Sequence, residues 1–440
     1  MFSTIYRKSG AISLANSNTV IAGCIVFALY YLFQFLNSKK LNFDAPVIGD
    51  ASDLRSALIN GYNQCPNTPF LLPTAAHPTI ILPIKYIDEI KSLPPDKISF
   101  LEEFRDRYFG HYTAFANNTE GDAVTTSVKV DLTQSIARAL ENMQAETELA
   151  FATELPKPKD WIPIYALYSP ELKKVRQHYT DAAEFLRPIF NQRFKEMERD
   201  DFEKPQDMIQ WMIDNSGNNA KDATFQGRCQ LLISFAALHT TSGLLGNAML
   251  DLAARPKYIE ALREEIAANL PENTQITKQI LTKLRKMDSF LKESQRMNPL
   301  NLVTMNRKMM DTVQLSDGTI LPKGSFLGMA AGSIGFDPRI FENPDEFDGF
   351  RFEKLRQQEG AENKFQLVTT GKDSLAFGHG THSCPGRFFA SNEIKTMLIE
   401  LLRNYDFQLL PGTERPKNLK SDMSLVVDPT AQIQIKERCR

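Results

Sequence analysis

Residues 226–254 read QGRCQLLISFAALHTTSGLLGNAMLDLAA, and Pro256 follows. No other stretch limits the fold as much. A helix that is apolar almost all round belongs at the centre of a large domain. Its middle is interrupted by His239, Thr240 and Thr241, between Leu238 and Leu244. Two readings of that polar trio stand. The hydroxyls bond back to carbonyls one turn earlier, or the trio lines a pocket. A central helix needs neighbours. Apolar residues at helical spacing predict further helices over 171–198, 256–268, 275–297 and 386–403. Strand-like pieces are sparse: 80–82, 311–321, 325–329 and 432–437. No strand–helix–strand alternation appears, so a doubly wound sheet is excluded and the fold class is mainly α with a minor β part. With 440 residues, 42% of them hydrophobic, the chain can supply the large core this requires.

A second apolar run, TVIAGCIVFALYYLFQFL, occupies residues 19–36 and carries no charge. That is long enough to span a bilayer. Residues 1–18 are read as an N-terminal segment, 19–37 as a transmembrane anchor, 38–50 as a Pro/Gly hinge and 51–440 as the functional domain. A cleaved signal peptide fits less well, because the run is long and no small-x-small site follows. Arg7 and Lys8 before the run balance Lys39 and Lys40 after it, so charge alone does not orient the anchor. The net charge of −2 gives no support to nucleic-acid binding. Cys24, Cys65, Cys229, Cys384 and Cys439 are odd in number and dispersed. That excludes a disulfide framework and fits a reducing compartment.

One of these cysteines sits in FGHGTHSCPGRFFA, beginning at Phe377. Gly378 and Gly380 permit a tight turn, Pro385-Gly386 leads into a helix, and Gly386 lets something large approach the backbone. Amides at a helix start stabilise a thiolate. A nucleophile would need a different local signature, and a redox dithiol would need a second cysteine. A zinc ion could draw on His379, His382 and Cys384, but the turn crowds them and no fourth ligand is evident. A single axial thiolate to haem iron needs one cysteine and a flat apolar slot, both of which this stretch offers. Elsewhere, Glu293 and Arg296 share a helix face as an E-x-x-R pair, which alone reads as an exposed ion pair.

Phe377, Gly380, Cys384, Gly386 and Ala390 together match the haem-binding signature of the cytochrome P450 monooxygenases, which this chain resembles from the anchor to the C-terminus. Glu293-x-x-Arg296, Arg351 in FDGFRF, and AALHTT in the long helix resemble further marks of that family, in the same order. The resemblance is greatest to fungal microsomal members that oxidise terpenoid and indole-diterpene intermediates. It implies the P450 fold and haem b with Cys384 as axial ligand. Phe377 would pack near the sulfur, and His382 and Arg307 would bond haem propionates. For these two the alternative is an ordinary surface side chain. Glu293, Arg296 and Arg351 would form a buried brace. Thr240 would hold a proton-delivering water, with His239 standing where an acid is usual and Ala237 where glycine is common. Phe235, Leu238, Val303, Thr304 and Leu425 are candidate substrate contacts or core residues.

The resemblance further implies O2 and a small apolar substrate. Electrons would come from NADPH through NADPH–cytochrome P450 reductase, docking near Arg387. The location would be the endoplasmic reticulum membrane, single-pass, with the catalytic domain cytosolic. One departure stands out. The chain is short for the family around residues 155–176, where Trp161-Ile-Pro-Ile runs almost directly into Tyr168-Ser-Pro. A packing gap beside 226–254 and lower stability are expected from that. Two alternatives to monooxygenation follow: a haem-binding but catalytically impaired chain, or an electron-independent haem-thiolate isomerase or dehydratase. The presence of Thr240 weighs against the latter.

Overall fold

A computed structural model of the chain describes residues 43–74, 77–107, 123–153, 162–165, 175–272 and 274–438. The expected anchor at 19–37 and most of 155–176 lie outside the described residues. Two compact units are present, residues 1–44 and 45–440, and the second carries everything that follows. The end of the expected 38–50 hinge is already part of it. The Ile48 amide donates to Leu71 O at 3.0 Å, and Val47 bridges Leu71 in parallel.

The longer helices in chain order are α1 (Leu54–Gln64), α2 (Phe100–Arg107), α3 (Thr133–Thr153), α4 (Val175–Glu196), α5 (Met208–Asn215) and α6 (Ala223–Ala254). After them come α7 (Lys257–Asn269), α8 (Lys278–Lys283), α9 (Arg285–Met297), α10 (Arg351–Arg356) and α11 (Arg387–Asn404). Asp222 starts α6 by accepting from the amides of Thr224 and Phe225, at 2.9 and 3.1 Å. The helix stops at Arg255, before Pro256.

The single helix expected over 275–297 is two. The chain breaks at Leu284 (ψ 70°), and Glu265 of α7 accepts from the amides of Lys286 and Met287 at 2.6 and 2.9 Å. A carboxylate from another helix thus caps the start of α9. Burial raises the pKa of Glu265 above the ordinary carboxylate value, against the pull of those two amides.

Strands are short. β1 (Phe70–Leu72), β2 (Thr79–Ile81), β3 (Ile98–Ser99), β5 (Thr304–Met309) and β8 (Phe326–Met329) form one sheet in the order β1-β2-β8-β5-β3, in which β2 and β8 run parallel. β4 (Ile162–Tyr165) and β9 (Tyr405–Leu409) flank β12 (Gln432–Glu437). Pro163 costs β4 one ladder donor and is tolerated because β4 is an edge strand. The strand expected over 311–321 is a hairpin of β6 (Val313–Gln314) and β7 (Ile320–Leu321), turned at Gly318 with φ +89°. β10 (Leu419–Ser421) and β11 (Ser424–Val426) form a second hairpin.

The main core gathers residues from α6, α7, α9 and α11, among them Leu244, Leu262, Phe290 and Leu398. α6 crosses it, but not as its apolarity predicts. Its start packs through Phe225 and Cys229 on Met212, and its last turns are buried. Its middle is not. Ser234 to Thr240 are all exposed, Phe235 to 39% and Leu238 to 67%.

Candidate functional site

The Cys384 loop is built by backbone geometry. Gly378 and Gly380 have φ of +66° and +77°, a region costly for other residues. A Cβ on Gly380 would also strike the Lys91 side chain at 2.6 Å. The Cys384 amide donates to Phe377 O at 2.7 Å and closes the loop. α11 begins three residues beyond the cysteine, and the amides of Gly386 and Arg387 donate toward its sulfur. The helix N-terminus alone predicts a thiolate. In the protein by itself, burial pushes the Cys384 thiol above its ordinary value, and it outweighs the two amides and the Arg387 charge. Donors aimed at a desolvated sulfur suit an anion completed by a cation in front of it, as in a metal–thiolate pair.

Cys384, Phe377 and Ile394 line one cleft together with Thr240 and Thr241 of α6. A Cβ on Gly386 would meet no protein atom closer than Val128 Cγ1, at an ordinary 3.6 Å. No protein contact requires glycine there, since Val128 would sit at ordinary van der Waals distance. A flat apolar macrocycle over a single sulfur ligand fits this donor set. Both readings of the polar trio hold for Thr240. Its hydroxyl donates to Ala236 O at 2.8 Å, and the residue also lines the cleft. Thr241 is buried and bonds Glu393 of α11, a carboxyl whose pKa burial raises. His239 sits edge-on to Phe235 with ring centroids 4.8 Å apart, exposed and outside the cleft lining.

The E-x-x-R pair is not an exposed one. Glu293 and Arg296 are buried and bonded at 2.8 Å twice, through the guanidinium Nε and Nη2, and Arg351 Nε reaches Glu293 at 3.2 Å. Arg296 continues to the carbonyls of Gly335 and Pro344 at 2.6 and 2.7 Å, and Glu293 accepts from the Asp348 amide at 3.0 Å. The brace thereby fixes residues 335–351 beneath the core.

Arg307 follows a register shift in β5, where Met305 takes φ +55°. Such bulges re-aim side chains. Arg307 is buried, contrary to the surface alternative. Its guanidinium donates to the neighbouring Asn306 O at 2.7 Å, and burial lowers its pKa to about 10. A buried guanidinium with donors beyond that one bond suits an anionic partner such as a propionate. His382 is exposed on the turn Gly380–His382. Arg387 folds back to donate to Cys384 O at 2.7 Å.

Phe235 and Leu238 are exposed on α6 and do not line the cleft. Val303 and Leu425 pack with Leu302 and Met423 in a second core cluster, so the core alternative describes them. Thr304 is buried, its hydroxyl without a partner among the described atoms. Leu300 and Asn301 line the cleft instead. Sequence reasoning passed over Lys292 and Glu393, each a charged residue in an otherwise ordinary helix. The available signal was a lysine directly beside the E-x-x-R glutamate.

The cytochrome P450 family profile matches residues 121–436. The chain is 88% identical to "Cytochrome P450 monooxygenase BOA4" of Botryotinia fuckeliana, over 492 aligned positions covering 99% of each chain. It is 32% identical to "Cytochrome P450 monooxygenase prx8" of Penicillium rubens, covering 90% of this chain and 86% of the relative. To "Cytochrome P450 monooxygenase AN1598" of Emericella nidulans it is 31% identical, covering 99% and 95%. The 492 positions of the first alignment exceed the 440 residues of this chain, so that relative carries residues without a counterpart here. With the sulfur, brace and cleft in place, and matches of this extent, the chain belongs to the cytochrome P450 family.

Proposed function

We propose that this monooxygenase holds haem b through Cys384 and inserts one oxygen atom from O2 into a small apolar molecule. The substrate class is a terpenoid or indole-diterpene intermediate of fungal secondary metabolism. Electrons come from NADPH through a reductase, and an N-terminal anchor holds the chain on the endoplasmic reticulum membrane. One observation carries the reading: a desolvated Cys384 sulfur with two amides aimed at it, in the same cleft as Thr240 and Thr241.

When bound, haem supplies the activation of O2. The chain's own residues do the rest. The amides of Gly386 and Arg387 temper the sulfur's charge. Arg307 and His382 would hold the haem propionates. Thr240 releases its bond to Ala236 O and holds a water from which a proton passes. His239, the next residue along the helix, replenishes it. Reduction of the purified protein under carbon monoxide tests the ligand. A thiolate-type Soret band, absent in Cys384→Ala, is expected; no haem at all would reject the reading. Turnover with a reductase and NADPH tests the activity, and Thr240→Ala is expected to consume NADPH without matching product.

A second reading has its own observation. Seven consecutive residues span two turns of α6, so Ser234–Thr240 is exposed on every side, while a haem covers one face. We assign the relative's extra residues to the region of 155–176, where they would cover that helix. Without them the chain binds haem but turns over poorly. Grafting the corresponding residues of the Botryotinia relative at 155–176 is then expected to raise both stability and turnover. Full coupling and ordinary thermal stability in the ungrafted chain would reject this second reading.

A further inference from the structure

Lys292 is 4% exposed, on α9 directly before Glu293, and the proposed oxygen chemistry does not use it. Its ammonium has three donors, and they bond Gln366 O at 2.8 Å, Thr369 O at 3.2 Å and Ser374 Oγ at 3.0 Å. All three acceptors belong to residues 366–374, the segment that runs into the Cys384 loop. Burial lowers the lysine's pKa to about 8, against the charges of Asp288 and Asp373. The ammonium is thus held where it is costly to bury, with its donors spent on one segment.

That segment is tied at further points. The Leu367 amide donates to Asp288 Oδ2 at 2.9 Å. Gly371 and Ser374 exchange amide bonds at 3.1 and 3.0 Å. Thr370 Oγ1 and His379 Nδ1 are hydrogen-bonded at 3.0 Å, which gives His379 a partner the sequence did not reveal. From there the backbone runs through Gly378, whose amide donates to Leu375 O at 2.8 Å, to the Cys384–Phe377 bond. Lys292 and Ser374 also line the cleft that contains Cys384.

We propose that Lys292 is a positioning residue for the cysteine ligand. Its ammonium fixes residues 366–374, and the Thr370–His379 bond passes that position to the Cys384 loop. Removing either latch lets the sulfur drift from its two amides and from the place where it would ligate the haem.

The inference rests on the haem-thiolate reading, so the experiment separates the two. The ferrous carbon monoxide spectrum gives the ratio of thiolate-type to thiol-type Soret bands, measured beside haem content and the denaturant midpoint. Lys292→Met is expected to lower that ratio roughly tenfold with haem retained, the size of one lost charge-assisted hydrogen bond. Thr370→Val is expected to lower it about threefold, and Lys292→Arg to restore part of it. Amides in 366–378 exchange faster in both Lys292→Met and Thr370→Val.

Leu262→Ala, a core change on α7, controls for general destabilisation and is expected to leave the ratio alone. Unchanged ratios in Lys292→Met and Thr370→Val overturn the proposal, as does an equal fall in Leu262→Ala. If Lys292→Met does not fold, Thr370→Val and Lys292→Arg decide the matter. A wild-type protein with no thiolate-type band instead rejects the haem-thiolate reading itself.

Discussion

Helix α9 and the middle of α6 invert the usual relation between polarity and burial. Met287 to Arg296 of α9 are all buried, although four of those ten residues are charged. Ser234 to Thr240 of α6 are all exposed, although the helix around them is apolar. The difference lies in what each side chain meets. Asp288 accepts from Lys395 at 2.6 Å and from the Leu367 amide; Lys292, Glu293 and Arg296 are bonded as described. A charge with partners can be buried, and an apolar side chain with nothing over it cannot.

The largest effect tests the charged side of that comparison. Glu293→Leu leaves Arg296 and Arg351 without their shared carboxylate and frees the Asp348 amide. A loss of about 3–5 kcal/mol in folding stability is expected, because an uncompensated buried charge costs more than the pair was worth. Denaturant unfolding measures it. A loss comparable to that of a surface mutation would mean the brace is already solvated.

The next test stays within α6. Leu244 is 4% exposed, whereas Leu238, six residues earlier, is 67% exposed. Leu244→Ala is expected to cost about 2–5 kcal/mol, and Leu238→Ala about 0.5 kcal/mol or less. Equal costs would break the comparison, showing Leu238 to be covered in solution. In a chain grafted with the relative's extra residues, the cost at Leu238 is expected to rise toward that at Leu244.

These two helices also show what was legible. The Cys384 stretch, its glycines and its following helix were readable because each residue type answers a local backbone need. The long helix was readable from its length and apolarity, but its exposure was not, since that depends on residues elsewhere. α9 was placed as a helix. Its burial came only from the family resemblance, because read alone a polar helix looks exposed until Lys395, Arg351 and the 366–374 segment arrive from far away in sequence. The break at Leu284 was hidden for the same reason: the cap is Glu265. Val303 and Leu425 could equally face a cleft or a core, because an apolar side chain suits both. The His379–Thr370 bond joins two loop residues with no periodic pattern to announce it.

A smaller effect concerns burial without partners. His77 stacks on Phe326, and neither ring nitrogen has a partner among the described atoms. Burial first, then the Arg107 charge, lower its pKa to about 4 from the ordinary 6.5. Between those values the unfolded chain binds a proton that the folded chain refuses. Stability from this group is therefore present above pH 6.5 and is lost as pH falls toward 4. At pH 5 the loss is at most about 2 kcal/mol. His77→Phe keeps the stack and is expected to shrink the difference in urea midpoint between pH 7 and pH 5. An unchanged difference would place the acid sensitivity elsewhere.

The smallest effect uses the backbone segment that Glu293 holds. The amide of Asp348 donates to that buried carboxylate, while its side chain pairs with Lys354 at 2.8 Å, and the lysine side chain is 63% exposed. One residue thus takes part in both kinds of ion contact. Water already solvates Lys354, so ordering the pair gains little beyond the entropy lost. Lys354→Ala is expected to cost under about 1 kcal/mol, and salt is expected to erase that cost. The loss in Glu293→Leu should persist in salt, because ions do not reach Glu293, which is fully buried. If both losses fell with salt in parallel, the brace would be as open as the surface pair, and partners rather than burial would explain nothing about α9.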